Sequence, residues 1–228
     1  MTVNFASLRE ILSSVNVVTD LSGNGNDGLL LNTVRWLSPE FEGMPRPPAF
    51  FLNFDDTYNS YIDFGDVGFI NDTLGELSFS FWLKNFGGVS SAQTIILSKW
   101  DDIGEGFFVN QTTTGNINVS FINGDNGDQL TSSTAIPYGS NLWYNIAVTW
   151  KVNEPLKIYI NGELDSTSTV VPSFSGFANN TQPLRISGFP DGSLNFIGNI
   201  SVLQMYDRQL NDDEVRKNFN AFRSRFRL

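Results

Sequence analysis

The chain contains no cysteine and no histidine. Disulfides, thiolate nucleophiles, the usual zinc ligand sets and imidazole acid–base catalysis are excluded together. The redox compartment stays open. Charge is also scarce, 17% of 228 residues against a usual share of about 25%. No apolar run approaches the ~18 residues that cross a bilayer. The opening Met1-Thr2-Val3-Asn4-Phe5 lacks the basic stretch and apolar run of a signal peptide. The expectation is a protein made in a cytoplasm, without a leader and without membrane insertion.

Aromatic carbon is what the chain has in quantity: 20 Phe and 5 Trp within a 40% hydrophobic composition. That fills a two-layer core, and the length fits one large domain. The net charge of −10 would repel a phosphate backbone, so nucleic acid is not expected as a partner. The charge is unevenly spread. The last 21 residues hold Arg208, Arg216, Lys217, Arg223, Arg225 and Arg227 against only Asp212, Asp213 and Glu214.

Local patterns divide the chain into three stretches. Leu8, Ile11 and Leu12 have helical spacing over Ser7 to Ser14, and Ser7 with Glu10 suits a capping box. A short helix is expected there, within an N-terminal segment 1–15. Asn16 to Thr19 reads as β, and Asp20-Leu21-Ser22-Gly23-Asn24-Gly25-Asn26-Asp27-Gly28 as a tight loop. Strand signals then dominate to residue 210. Leu77, Phe79, Phe81 and Leu83 alternate with polar residues and share one face, placing Trp82 on the other, half-exposed or covered. Further strands are read at 50–54, 61–64, 94–98, 106–110, 116–122, 143–150, 156–160, 184–187 and 199–206. Asn123 to Asp128 reads as a hairpin turn, and Asn161-Gly162 is the strongest hairpin signal in the chain. Short strands without intervening helices give an all-β sandwich of two antiparallel sheets. Over 211–228 the period changes. Asn211 and Glu214 form a capping box, Leu210 a staple, and Val215, Phe219 and Phe222 a buried stripe.

Six segments carry a family likeness. They are the Asp20–Gly28 loop, Leu77 to Trp82, Ser98-Lys99-Trp100, Trp143 to Trp150, Ile158 to Leu164, and Phe196 to Leu210. In this order they resemble the laminin-G-like, concanavalin A-like jelly-roll superfamily. The resemblance implies a jelly-roll sandwich over 16–210, followed by the C-terminal helix and basic arm. More narrowly, Val215 to Leu228 is similar to the ends of laminin-G-like proteins on tailed-phage virions. That implies a non-enzymatic structural or accessory protein displayed on capsid or tail. It would be a homo-oligomer contacting other virion proteins or copies of itself, with host surface glycan as a further ligand. The alternative is a carbohydrate-binding lectin domain of a bacterial protein; a glycan hydrolase stands third. Two departures are visible. The family opens on a long strand where Ser7 to Ser14 reads helical. Many members also carry calcium-assisting acidic residues where Ser201 and Val202 stand.

Chemistry is sparse. Glu163 and Asp165 lie two apart on one strand face, as a carboxylate pair for glycoside hydrolysis would, but no third acid follows and the plain reading is a hairpin. Trp100, Asp101 and Asp102 form a candidate ligand site, where a tryptophan stacks on a sugar ring or carboxylates hold calcium; a solvated loop with an inward Trp100 is the other reading. No cofactor is expected. Calcium at Asp20, Asn24, Asn26 and Asp27 is the alternative to side chains that bond their own turn. For the tail, Phe222, Arg223, Arg225, Phe226, Arg227 and Leu228 are candidate partner-binding residues on an extended arm. Packing on the chain's own sandwich is the other reading, and the one the apolar residues of the tail favour.

Overall fold

A computed structural model describes residues 2–3, 16–37, 51–54, 59–70, 75–86, 93–101, 104–124, 126–169 and 180–228. The expected helix over Ser7 to Ser14 lies outside these. The early strands are β1 (Thr2–Val3), β2 (Val17–Val18), β3 (Gly28–Leu31), β4 (Arg35–Leu37), β5 (Phe51–Phe54) and β6 (Tyr61–Asp63). Longer ones follow: β7 (Glu76–Asn85), β8 (Thr94–Trp100), β9 (Gly106–Gln111), β10 (Asn116–Asn123), β11 (Asn126–Ala135) and β12 (Tyr144–Lys151). The series closes with β13 (Lys157–Ile160), β14 (Glu163–Thr167), β15 (Arg185–Ile186) and β16 (Gly198–Tyr206), then helix α1 (Asp212–Phe222) and a 3-10 turn, Arg223–Phe226.

The strands form two sheets. The first runs β14-β13-β12-β7-β16-β5-β4, with β1 beside β5 on the same flank of β16; the second runs β11-β10-β9-β8-β15-β6-β3-β2. All strand pairings among the described residues are antiparallel. The jelly-roll expectation from the sequence holds.

Alternation decides what lies between the sheets. From β7, Leu77, Phe79, Phe81 and Leu83 point inward and are buried. Phe107 of β9 and Phe121 of β10 meet them from the second sheet. Ring centroids lie 5.7 Å apart for Phe79–Phe107, 5.6 Å for Phe107–Phe121 and 5.0 Å for Phe121–Trp150. Because Trp150 belongs to β12, the column starts and ends in the first sheet and passes through the second.

The first sheet is covered on its outer face too. Ser78, Ser80 and Trp82 face out from β7, and α1 lies over them. Leu210 and Val215 share a buried cluster with Ala147, Tyr159 and the half-buried Tyr206, which is the hydrophobic staple in place. The capping box is complete: Asn211 Oδ1 accepts from the Glu214 N–H at 3.0 Å, and Glu214 Oε2 accepts from the Asn211 N–H at 3.0 Å. Asn161 and Gly162 both have positive φ, 52° and 78°, as a tight hairpin turn needs. Gly162 has a second duty, since a β-carbon there would sit 2.8 Å from the Phe219 ring of α1.

Strands β11 and β14 end the two sheets on the same side, and one carboxylate joins them. Asp165 of β14 accepts the Ser133 N–H at 2.7 Å and the Thr134 N–H at 3.1 Å. An otherwise open edge is thereby satisfied across the gap. Burial pushes the Asp165 carboxyl up, but the hydrogen bonds from Thr134, Ser166 and Ser133 outweigh it and hold it below the ordinary value.

Asp128, nearby on β11, is the opposite case. It is 1% exposed, and neither carboxylate oxygen makes a well-formed hydrogen bond. Burial pushes it up to about 6, against the pull of the Ser168 hydroxyl and the Gln129 and Leu156 N–H groups. A carboxyl raised in the folded state opposes folding above its folded pKa, and the penalty disappears as pH falls from about 6 towards the unfolded value of 3.8. Asp128→Asn keeps the shape and removes the charge. It should stabilise the protein by about 1–2 kcal/mol at pH 8 and change little at pH 4. Thermal melts across that range check this, and an equal shift at both pH values would refute it.

Candidate functional site

The outer face of the second sheet carries the sequence-predicted Trp100. Lys99 pairs in register with the inward Phe107, so Trp100 and Phe108 both face out. Gly106, opposite Trp100, has φ 119° and an approach to the Lys99 carbonyl that no β-carbon tolerates. Trp100 and Phe108 meet edge to face at 5.1 Å, and Phe189, from the loop after β15, stands edge to face on Phe108 at 5.5 Å. All three rings are half-buried. Trp100 is thus neither folded inward nor a lone platform.

Polar groups surround this cluster. Arg185 lies over the Tyr61 ring at 4.5 Å, bonds Asp63 at 3.0 Å and donates to the Pro190 carbonyl at 2.7 Å. Across the same face run Asn110, Asn118, Ser120, Gln129 and Thr131. Asn118 donates to Asn110 Oδ1, Thr131 to Asn118 Oδ1 and Gln129 to Ser120 Oγ. Asp101 turns its carboxylate to the Glu105 N–H at 2.7 Å and so folds its own loop. Asp102 lies outside the described residues. Phe108 was legible only as an outward strand position, and nothing in the Ser187-Gly188-Phe189-Pro190 stretch signals that Phe189 joins it.

The Asp20–Asp27 loop knits itself together. Asp20 Oδ1 accepts the Ser22 N–H at 2.8 Å, and Oδ2 accepts the Ser22 hydroxyl at 2.9 Å and the Asn26 N–H at 3.1 Å. Asp27 Oδ1 accepts the Asp20 N–H at 2.7 Å. Burial pushes the Asp20 carboxyl up, yet the hydrogen bonds from Ser22 and Asn26 prevail and hold it low. Both Asp20 oxygens and Asp27 Oδ1 thus accept from the turn itself, Asn24 donates its backbone N–H to the Ser22 hydroxyl oxygen, and only two acids stand in the loop. These residues do not fit a calcium site. Among the described residues no cluster of three acids could hold a metal. At Ser201 and Val202 the fit fails differently. Val202 sits in a β16 bulge with φ 51°, a backbone a β-branched residue seldom adopts, and its side chain is buried against Trp82.

The tail is compact: of the two readings it follows packing on the chain's own sandwich and is not an extended arm. After α1, residues Arg223–Phe226 form a 3-10 turn, and Arg227 closes it at φ 62°. Phe226 stacks on Trp82 at 4.0 Å and 15°, while Phe219 stacks on the same indole at 5.6 Å. Trp143 adds a third ring, 4.9 Å from Phe226. The physical reason is the outward Trp82, whose apolar surface burial favours covering. Phe222 is half-buried beside this cluster with Arg225 over its ring at 5.1 Å; Arg223, Arg227 and Leu228 are exposed. Arg223, Arg225 and Arg227 make no ion pair with any described residue.

The possible acid pair is not arranged as one. Glu163 is exposed and paired to Arg216 of α1 at 3.2 Å, while Asp165 is tied to β11.

The sequence profile of the concanavalin A-like lectin/glucanases superfamily matches residues 55–216. The chain belongs to this superfamily. No curated protein matches the sequence. The structure is similar to the binding domain of Paraclostridial Mosquitocidal Protein 1, with a TM-score of 0.74 at 18% identity, over 97% of this chain and 52% of that one. The binding domain of botulinum neurotoxin DC, solved with rat synaptotagmin II, gives 0.72 at 17% identity, over 97% and 51%. Botulinum neurotoxin type C gives 0.71 at 17%, over 97% and 50%. At such identities the likeness shows the fold, and this lectin-like chain spans about half the length of those structures.

Two outcomes follow from the site geometry. Phe226→Ala should cost about 3 kcal/mol, near the lower end for a buried phenylalanine, whereas Arg227→Ala should change stability by under about 0.5 kcal/mol. Chemical denaturation separates them; a neutral Phe226→Ala would detach the tail from the fold. Millimolar calcium should leave the melting temperature within about 2 °C. A rise above about 10 °C would show tight binding.

Proposed function

We propose that this chain is a non-enzymatic recognition domain that binds glycan on the outer face of its second sheet. The carrying observation is the half-buried trio Trp100, Phe108 and Phe189 set beside amides, hydroxyls and Arg185. A pyranose ring presents a C–H face that packs on aromatic rings, and hydroxyls that suit such polar groups. Membership of a lectin and glucanase superfamily supports a sugar ligand. So does the shared fold with botulinum neurotoxin type C, which depends on two ganglioside molecules to enter cells. The non-enzymatic reading rests on the carboxylates. Glu163 pairs with Arg216 and Asp165 fastens two sheet edges, so each already has a structural task.

The likeness of Val215 to Leu228 to tailed-phage virion proteins supports display on a particle as the setting. Mass spectrometry of purified particles checks that part by itself.

The glycan reading is tested by array binding followed by titration of the best oligosaccharide. Trp100→Ala and Phe189→Ala should each weaken binding at least tenfold, the loss of about 1.4 kcal/mol or more, with melting temperatures within a few degrees of wild type. Full affinity in both folded variants would sink the site. Release of reducing sugar that Glu163→Gln abolishes would overturn the non-enzymatic assignment.

A further inference from the structure

Among the described residues, acids outnumber cations at one end of the sandwich, where Lys151, Lys157 and Arg208 are already paired to Glu76, Asp212 and Glu214. Strand β7 runs from Glu76 at one end to Asn85 at the other, where Asn85 Nδ2 bonds Gln111 Oε1. Thr94 of β8 pairs with Gln111, so β8 descends from that same end and Trp100 lies at the Glu76 end. Strand β6 runs parallel to β8, because both are antiparallel to β15. The chain after β6 therefore reaches the Trp100 end too, and the Lys99 Nζ–Asp66 contact of 2.8 Å agrees. Gly28 packs against the Phe64 ring, which brings the Asp20–Asp27 loop to the same place.

Helix α1 adds acids to that end. Its start is fixed at the Glu76 end by the Gln209 N–H on Glu76 at 3.0 Å and the Leu210 N–H on Ser78 at 2.9 Å. Its acidic first turn, Asp212-Asp213-Glu214, therefore lies at the same end as Asp20, Asp27, Asp101 and Glu105, with Asp212 paired to Lys157 and Glu214 to Arg208. The helix then runs towards the Asn85 end, where Phe226 lies on Trp82. Arg223, Arg225 and Arg227 cap that end. Residues 1–207 hold eight cations against 21 acids, so among the described residues this cap is a basic patch on an acidic molecule.

We propose that copies of this chain associate head to tail, the arginine cap of one docking on the acidic end of the next. Both complementary surfaces are present on one chain, and no other partner is required. Guanidinium forks suit carboxylates bidentately. The cap is held rigid by Phe226, so little ordering is lost on contact. Leu142, 60% exposed beside Trp143, and Leu228, 45% exposed, add apolar area at the rim. A contact of cap on cap would oppose like charges, whereas cap on acidic end pairs opposite ones; repeated head to tail, such a contact closes into a ring or extends. An extended anionic surface, whether polyanion or membrane, would meet the net −10 of the whole molecule.

Sedimentation velocity on the intact protein tests this. At about 20 mM salt the Debye length is roughly 20 Å, and in 0.5 M salt about 4 Å. The mean mass should rise with concentration in the first buffer, and association should weaken at least about tenfold in the second. Arg223→Glu with Arg227→Glu should stay monomeric, as should Glu105→Lys with Asp213→Lys. Adding Arg225→Glu should deepen the first defect; the double variant stands alone if the triple unfolds. Mixing the two double variants should restore association that neither shows alone. A wild-type protein monomeric throughout, or a mixture that stays monomeric, overturns the proposal. Monomeric wild type that binds phosphatidylserine vesicles through the same arginines would overturn it in favour of a membrane.

Discussion

The aromatic column through the sandwich is the contact on which the rest depends. Phe79, Phe107, Phe121 and Trp150 pass from the first sheet into the second and back, with centroids 5.0 to 5.7 Å apart. Each full burial of such a ring is worth roughly 2–3 kcal/mol, and the column also fixes register. A one-residue slip of β7 would send Phe79 and Phe81 outward and bring Ser78 and Ser80 in. The hairpin turn at Asn161-Gly162, the bulge at Val202 and the glycine at 106 are all local solutions compatible with that one register.

Covering the first sheet twice has a functional consequence. Once α1 and the Phe226 turn occupy its outer face, recognition of a ligand there would require displacing two rings from Trp82. The second sheet keeps Trp100, Phe108 and Phe189 half-exposed instead. The family membership does not choose between the faces. The choice comes from where the C-terminal segment spends its aromatics.

Much of this was legible in the sequence, and the parts that were not share a cause. Strands β7, β10, β12 and β16 announce themselves through apolar alternation, and α1 through Asn211, Glu214 and Leu210. Strand β11, Asn126–Ala135, does not. Its Thr-Ser-Ser-Thr run has no alternation, and it is a strand because β10 offers it hydrogen-bonding partners and Asp165 accepts its N–H groups. Asn126 to Asp128 reads as a turn for the same reason, although Asn126 already pairs with Asn123. The site was half legible. Trp100 stood out by residue type, while Phe189 reaches it only through tertiary pairing of β15 with β8. The tail was read with two outcomes open, because alternation of Arg with Phe fits a docked strand and a short helical turn alike. Trp82 decides between them, 130 residues upstream of the start of α1.

Four carboxylates show why residue type alone did not reveal function. Asp20 collects donors from its own turn and is held low; its oxygens are spent on the loop. Asp165 collects donors from another sheet and is also held low; it replaces a strand partner. Glu163 stands in solvent beside Arg216 and gains little from the pairing, as exposed pairs do. Asp128 is buried without a well-formed hydrogen bond and is pushed up to about 6. On sequence spacing, Glu163 and Asp165 were the suggestive pair. Among the described residues the acid with a near-neutral pKa is instead Asp128, sealed inside the fold. A raised pKa marks a catalytic candidate only when the group also opens onto a cleft, and here burial and exposure have been dealt to different residues.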